Sequence, residues 1–111
     1  MSTASVVNVV KWHEVCGVED IPVLGARVLK RKGEKDIAIF RNSENKVFAL
    51  TDECPHKQGP LSQGIVFGEK VACPLHNWTI GLSDGCAQSP DEGCTPAYSI
   101  KIVGDRVHIG L

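Results

Sequence analysis

The amino-acid sequence predicts an all-β domain, an antiparallel β-sandwich base that carries a small subdomain of loops and short strands. Three observations lead there. Apolar residues fall in short runs rich in Val, Ile, Phe and Tyr, the types that suit a pleated, half-buried surface. Clusters of Gly, Pro, Asn and Asp separate those runs. No long helical periodicity interrupts them.

Taken in order, strands are expected at 11–15, around Trp12 and Val15, and at 27–30, around Val28 and Leu29. Residues 36–41 and 47–51 form the first hairpin: Ile37, Ile39 and Phe40 face Val47, Phe48 and Leu50 across the turn Asn42-Ser43-Glu44-Asn45. Residues 98–103 and 106–109 form the second, where Gly104-Asp105 joins Ile100 and Ile102 to Val107 and Ile109. Alternation in both hairpins implies one buried face each. Between them, 52–96 holds five of the six prolines and many glycines. That composition favours ordered loops on a small sheet, with short strands at 71–73 and 78–81.

The chain has 111 residues, which fits one domain spanning 1–111, with 52–96 as an insert that displays function. A net charge of −1 gives no electrostatic reason to expect nucleic acid or an anionic membrane as partner. Residues 1–10 have no basic region and only a Val-rich run broken by Asn8, unlike a signal peptide or a membrane span. A cytoplasmic location is the expectation. No nucleophile–base pair and no phosphate loop is evident, so no catalytic residue is assigned.

Chemistry concentrates in two boxes within the insert, Cys54-Pro55-His56 and Cys73-Pro74-Leu75-His76. Thiolate sulfur is soft and suits iron–sulfur clusters, and neutral imidazole also binds iron. Each box supplies one of each, separated by sixteen residues. A structural Cys2His2 zinc site is the rival, but such sites space their ligands as C-x2-4-C and H-x3-5-H. A single residue between Cys54 and His56 fits that poorly.

This ligand set resembles that of the Rieske [2Fe-2S] family, in which two His replace two Cys on one iron. The resemblance implies that Cys54 and Cys73 hold one iron and His56 and His76 the other. Two ferric ions, two sulfides and two thiolates then sum to zero charge, two fewer negative charges than an all-thiolate cluster, so an added electron is accommodated more easily. A domain of this size has no room for a flavin or nucleotide domain as well, so it must exchange electrons with other chains.

Within the family the chain resembles the soluble, dioxygenase-ferredoxin-like branch. Members from cytochrome bc complexes carry two extra cysteines at the positions of Gly59 and Leu75, which form a loop disulfide, and a serine and a tyrosine at those of Trp78 and Ile80, which donate to sulfur. Without those donors a potential in the lower part of the Rieske range is expected. Further segments resemble the small subunit of assimilatory NAD(P)H-dependent nitrite reductases: Trp12-His13-Glu14-Val15-Cys16, Ile37-Ala38-Ile39-Phe40-Arg41, His56-Lys57-Gln58-Gly59-Pro60-Leu61-Ser62, Gly64-Ile65-Val66, His76-Asn77-Trp78 and Asp91-Glu92-Gly93-Cys94-Thr95-Pro96. That resemblance implies a Rieske-type fold and a large subunit carrying FAD, a [4Fe-4S] cluster and sirohaem, which reduces nitrite to ammonium. A stand-alone ferredoxin of a ring-hydroxylating dioxygenase is the alternative, and a non-redox docking subunit is a third reading.

Other residues carry plainer expectations. Trp78 either covers the cluster or begins a strand as a core aromatic. Gln58-Gly59-Pro60 and Ser89-Pro90-Asp91 are either loops whose N–H groups point at sulfur or generic turns. Cys86 and Cys94 are either thiols, as a reducing cytosol favours, or the ends of a small disulfide beside the cluster. Cys16 is expected in a small apolar pocket, and His13 and His108 as structural histidines. Lys30-Arg31-Lys32 reads as a solvated hairpin tip or a patch for an acidic partner.

Overall fold

The computed structural model describes residues 11–55, 59–74, 78–88 and 92–111. Among these described residues, nine strands form two antiparallel sheets: β1 Trp12–Gly17, β2 Gly25–Leu29, β3 Ile37–Arg41, β4 Val47–Thr51, β5 Ile65–Phe67, β6 Lys70–Ala72, β7 Thr79–Gly81, β8 Ala97–Val103 and β9 Arg106–Gly110. The larger sheet has the order β1-β9-β8-β4-β3-β2 and the smaller β5-β6-β7. β8 is the corner of the larger one. Its first two residues, Ala97 and Tyr98, pair with β4, and the stretch from Ser99 to Val103 pairs with β9. No helix among the described residues is long and apolar enough to cross a membrane.

Two apolar clusters hold the layers together. Cys16, Ile37, Ile39, Ala49, Val107 and Ile109 fill the base between the β1-β9-β8 and β4-β3-β2 halves of the large sheet. Ala38, Phe40 and Leu50 take the opposite face and pack against Leu61, Val66, Val71 and Ile80 under the small sheet. Sides alternate along a strand, so neighbouring residues of β3 serve different layers. The first hairpin therefore departs from the single buried face that its alternation implied: Ile37, Ala38, Ile39 and Phe40 are all buried, because the small sheet covers what would otherwise be the solvent side. The second hairpin keeps the expected buried face only on β9, through Val107 and Ile109; on β8 Ile100 is half-buried and Ile102 is 41% exposed, because the far end of β8 runs beyond the two residues that pair with β4.

Both expected turns are present. Gly104, with φ of 64°, closes the two-residue β8–β9 connection, where a left-handed backbone matches the strand twist. Asn42 begins the β3–β4 connection but is not a solvated turn residue, since it is only 1% exposed. Its Oδ1 accepts from the N–H groups of Glu44 (3.0 Å) and Lys46 (2.9 Å), and its Nδ2 donates to the Gly68 carbonyl (3.1 Å) at the β5–β6 turn. One side chain thus fastens the base hairpin to the small sheet. Strand β5 is absent from the sequence reading. Three residues bounded by Gly64 and Gly68 are too short for an alternation pattern to register.

Candidate metal centre

Strand β4 delivers the first box and β6 the second. After Thr51, Asp52 anchors the exit from β4: its carboxylate accepts from Ser62 N–H (2.7 Å) and Ser62 Oγ (2.8 Å), and its N–H donates to the Asp36 carbonyl (2.9 Å). Cys54 follows two residues later. Its N–H donates to the Gly59 carbonyl (2.8 Å), closing a six-residue loop. Cys73 stands one residue beyond β6, and its N–H donates to the Trp78 carbonyl (2.7 Å), closing a second loop of the same length and the same hydrogen-bond pattern. A proline follows each cysteine, which biases the cysteine backbone toward an extended conformation.

Cys54 and Cys73 are each 1% exposed and belong to one core cluster with Phe40, Leu61 and Ile80. Both are thiols rather than disulfide sulfurs. Two buried thiols brought from distant positions to the heads of matching loops have the chemistry to suit a soft metal centre, since a buried thiolate requires a compensating cation. His56 and His76 lie outside the described residues, as do Lys57, Gln58, Leu75, Asn77 and Ser89-Pro90-Asp91. Trp78 is half-buried and packs against the core that contains both cysteines, which fits either of its expected roles, while Ile80 is wholly buried in that core.

A third segment flanks the boxes. Residues 86–88 extend the small sheet along β7, with the Gly81 N–H donating to the Cys86 carbonyl (2.9 Å) and the Gln88 N–H to the Thr79 carbonyl (2.9 Å). Cys86 and Cys94 form a disulfide, which decides the alternative that the sequence left open. Their pairing across an isolated antiparallel bridge supplies the geometry that sequence spacing does not reveal. Cys94, Cys54 and Pro55 line a cleft of about 400 Å³ together with Arg31, Lys35 and Tyr98.

The basic turn is neither wholly solvated nor a bare cationic patch. Lys30 pairs with Asp36 (3.2 Å), Lys35 with Glu53 (2.9 Å) and Arg31 with Glu34 (3.3 Å). The Arg31 side chain is 19% exposed and lies over the Tyr98 ring at 5.7 Å. Cys16 is buried in the base as expected, and burial pushes its thiol up from the ordinary value. His13 and His108 sit on β1 and β9 in the base.

Comparison with known proteins places these features in context. The family model of the Rieske [2Fe-2S] domain matches residues 11–99. The anthranilate 1,2-dioxygenase ferredoxin subunit of Burkholderia cepacia is 34% identical over 106 residues, covering 91% of this chain and 93% of that protein. The 4beta-methylsterol monooxygenase of Methylococcus capsulatus is 44% identical over 54 residues, and the match covers 49% of this chain but only 14% of that enzyme's length. A crystal structure described as a candidate NADH-dependent nitrite reductase small subunit from Mycobacterium tuberculosis superposes with a TM-score of 0.82 at 18% identity, covering 93% of this chain and 96% of the other. At that identity the likeness speaks for the fold alone.

Proposed function

The chain belongs to the Rieske [2Fe-2S] domain family, and on that premise we propose that Cys54 and Cys73 hold one iron of its cluster while His56 and His76 hold the other. The observation that carries the reading is the pair of buried thiols at the heads of two identically closed loops. When bound, the cluster accepts and returns one electron at a time. Around it this chain supplies the rest. The loop-closing bonds occupy the N–H groups of Cys54 and Cys73, Phe40, Leu61 and Ile80 exclude water from the sulfur side, and Trp78 closes the same core. We read 1–111 as one domain with 52–96 as the cluster-binding insert.

As partner we propose the large subunit of an assimilatory NAD(P)H nitrite reductase, with FAD, a [4Fe-4S] cluster and sirohaem on that subunit only, acting in the cytoplasm. The segments quoted above from Trp12 to Pro96 support this, and they run through the base as well as the boxes. A stand-alone ferredoxin serving a ring-hydroxylating dioxygenase is the second reading, favoured by the near full-length identity to the anthranilate dioxygenase ferredoxin subunit. Affinity purification from the native host separates them. Co-purification with a sirohaem protein supports the first, and with a terminal oxygenase the second. Full nitrite-reducing activity of a complex rebuilt with Cys54→Ser would leave docking as the only role.

A further inference from the structure

We propose that the Cys86–Cys94 disulfide is a thiol–disulfide exchange site for a dithiol reductant, and that its redox state adjusts the neighbouring cluster. The first half stands on geometry alone, and the second rests on the cluster reading above. Three observations converge on it. Cys94 is exposed and Cys86 half-buried, and Cys94 lines an open cleft with two ion pairs, Arg31–Glu34 and Lys35–Glu53, so a partner dithiol can reach this end of the bond. Exposed disulfides are the labile ones.

The bond also joins two layers. Cys86 is bonded to β7 of the small sheet, whereas Cys94 leads through Thr95 and Pro96 into β8 of the base, where the Thr51 N–H donates to the Pro96 carbonyl (2.9 Å). Between the two cysteines, Gly93 lies against the first box. A Cβ added there would stand 3.3 Å from Pro55 Cβ, so the segment is packed on the residue that follows Cys54. Cutting the disulfide leaves the two bonds of the bridge between residues 86 and 94, Ala87 N–H to the Gly93 carbonyl and Thr95 N–H to the Gly85 carbonyl (2.8 Å each), to hold that packing.

The chemistry is two successive displacements. A partner thiolate attacks Cys94 Sγ, the Cys86–Cys94 bond breaks, and the Cys86 sulfur leaves as a thiolate that takes a proton from water. The partner's second thiolate attacks the mixed disulfide and releases Cys94, which is protonated in turn. Two electrons pass from the dithiol, which becomes a disulfide, to the Cys86–Cys94 pair.

The test uses the folded, cluster-loaded chain under anaerobic conditions. It is equilibrated across a series of reduced to oxidised dithiothreitol, alkylated without denaturant and mapped by peptide mass spectrometry. Iron, acid-labile sulfide and midpoint potential are read on the same samples. We expect Cys86 and Cys94 to be protected at the oxidised end and both alkylated at the reduced end, with iron and sulfide retained. The midpoint should shift reproducibly between the two ends in the wild type and stay fixed in the Cys86→Ser, Cys94→Ser double variant. Alkylation at the oxidised end, or resistance at the reduced end until the protein is denatured, overturns the exchange site. An unmoved midpoint overturns the coupling. Absence of iron and sulfide from the starting protein would count against the cluster reading, while the alkylation map would still decide the exchange.

Discussion

Replacing Asn42 with alanine tests how the small sheet is fastened to the base. The substitution removes three hydrogen bonds, to Glu44 N–H, Lys46 N–H and the Gly68 carbonyl. Each is worth about 0.5–1.5 kcal/mol net, for a total of roughly 1.5–4.5 kcal/mol. Glu44, Lys46 and Gly68 are all exposed, so water can serve the abandoned backbone groups and the cost falls to the lower half, about 2 kcal/mol. That is about a thirtyfold change in the folded-to-unfolded ratio, within what a domain of ordinary stability survives. Urea denaturation gives the total, and native-state hydrogen exchange gives its location, which should be the β5–β6 amides before those of β8–β9. Ser43→Ala, at the exposed neighbouring position, is the control and should stay within about 0.5 kcal/mol of wild type. Equal costs for the two variants, or protection lost evenly across both sheets, would refute the reasoning.

Three further outcomes follow from the same structure. Phe40→Ala, which empties a fully buried position facing the small sheet, should cost about 3–5 kcal/mol in chemical denaturation. A cost below about 1 kcal/mol would mean that this interface is not packed as described. Burial pushes the Cys16 thiol up, with Arg27 opposing and Asp20 adding to the rise. The unfolded thiol therefore ionises first, near pH ~8.5, and stability falls as pH climbs from there through the folded value. The stability gap between wild type and Cys16→Ala should accordingly narrow in alkaline buffer, and a gap independent of pH would contradict this. With Trp78 and Ile80 where other members place sulfur donors, redox titration should give a midpoint low in the family's span of about −150 to +300 mV, and a value well above zero would be inconsistent.

What the sequence made legible depended on how local each cause was. The Gly104-Asp105 turn and the two boxes are written in a few adjacent residues whose chemistry admits little else. The double-sided burial of β3 is not, because Ala38 and Phe40 are covered by strands from another part of the chain. Asn42 looked like a turn residue since its bond to Gly68 spans 26 positions. Cys86 and Cys94 stayed ambiguous because their pairing is settled by the alignment of two backbone segments. β5 went unseen for want of length.

Electron paramagnetic resonance of the dithionite-reduced protein tests the central claim most directly. Mixed ligation by Cys54, Cys73, His56 and His76 predicts a [2Fe-2S] signal whose average g value lies below that of an all-cysteine cluster. An all-cysteine average, or no signal from protein purified without oxygen and holding zinc in place of iron and sulfide, would contradict it.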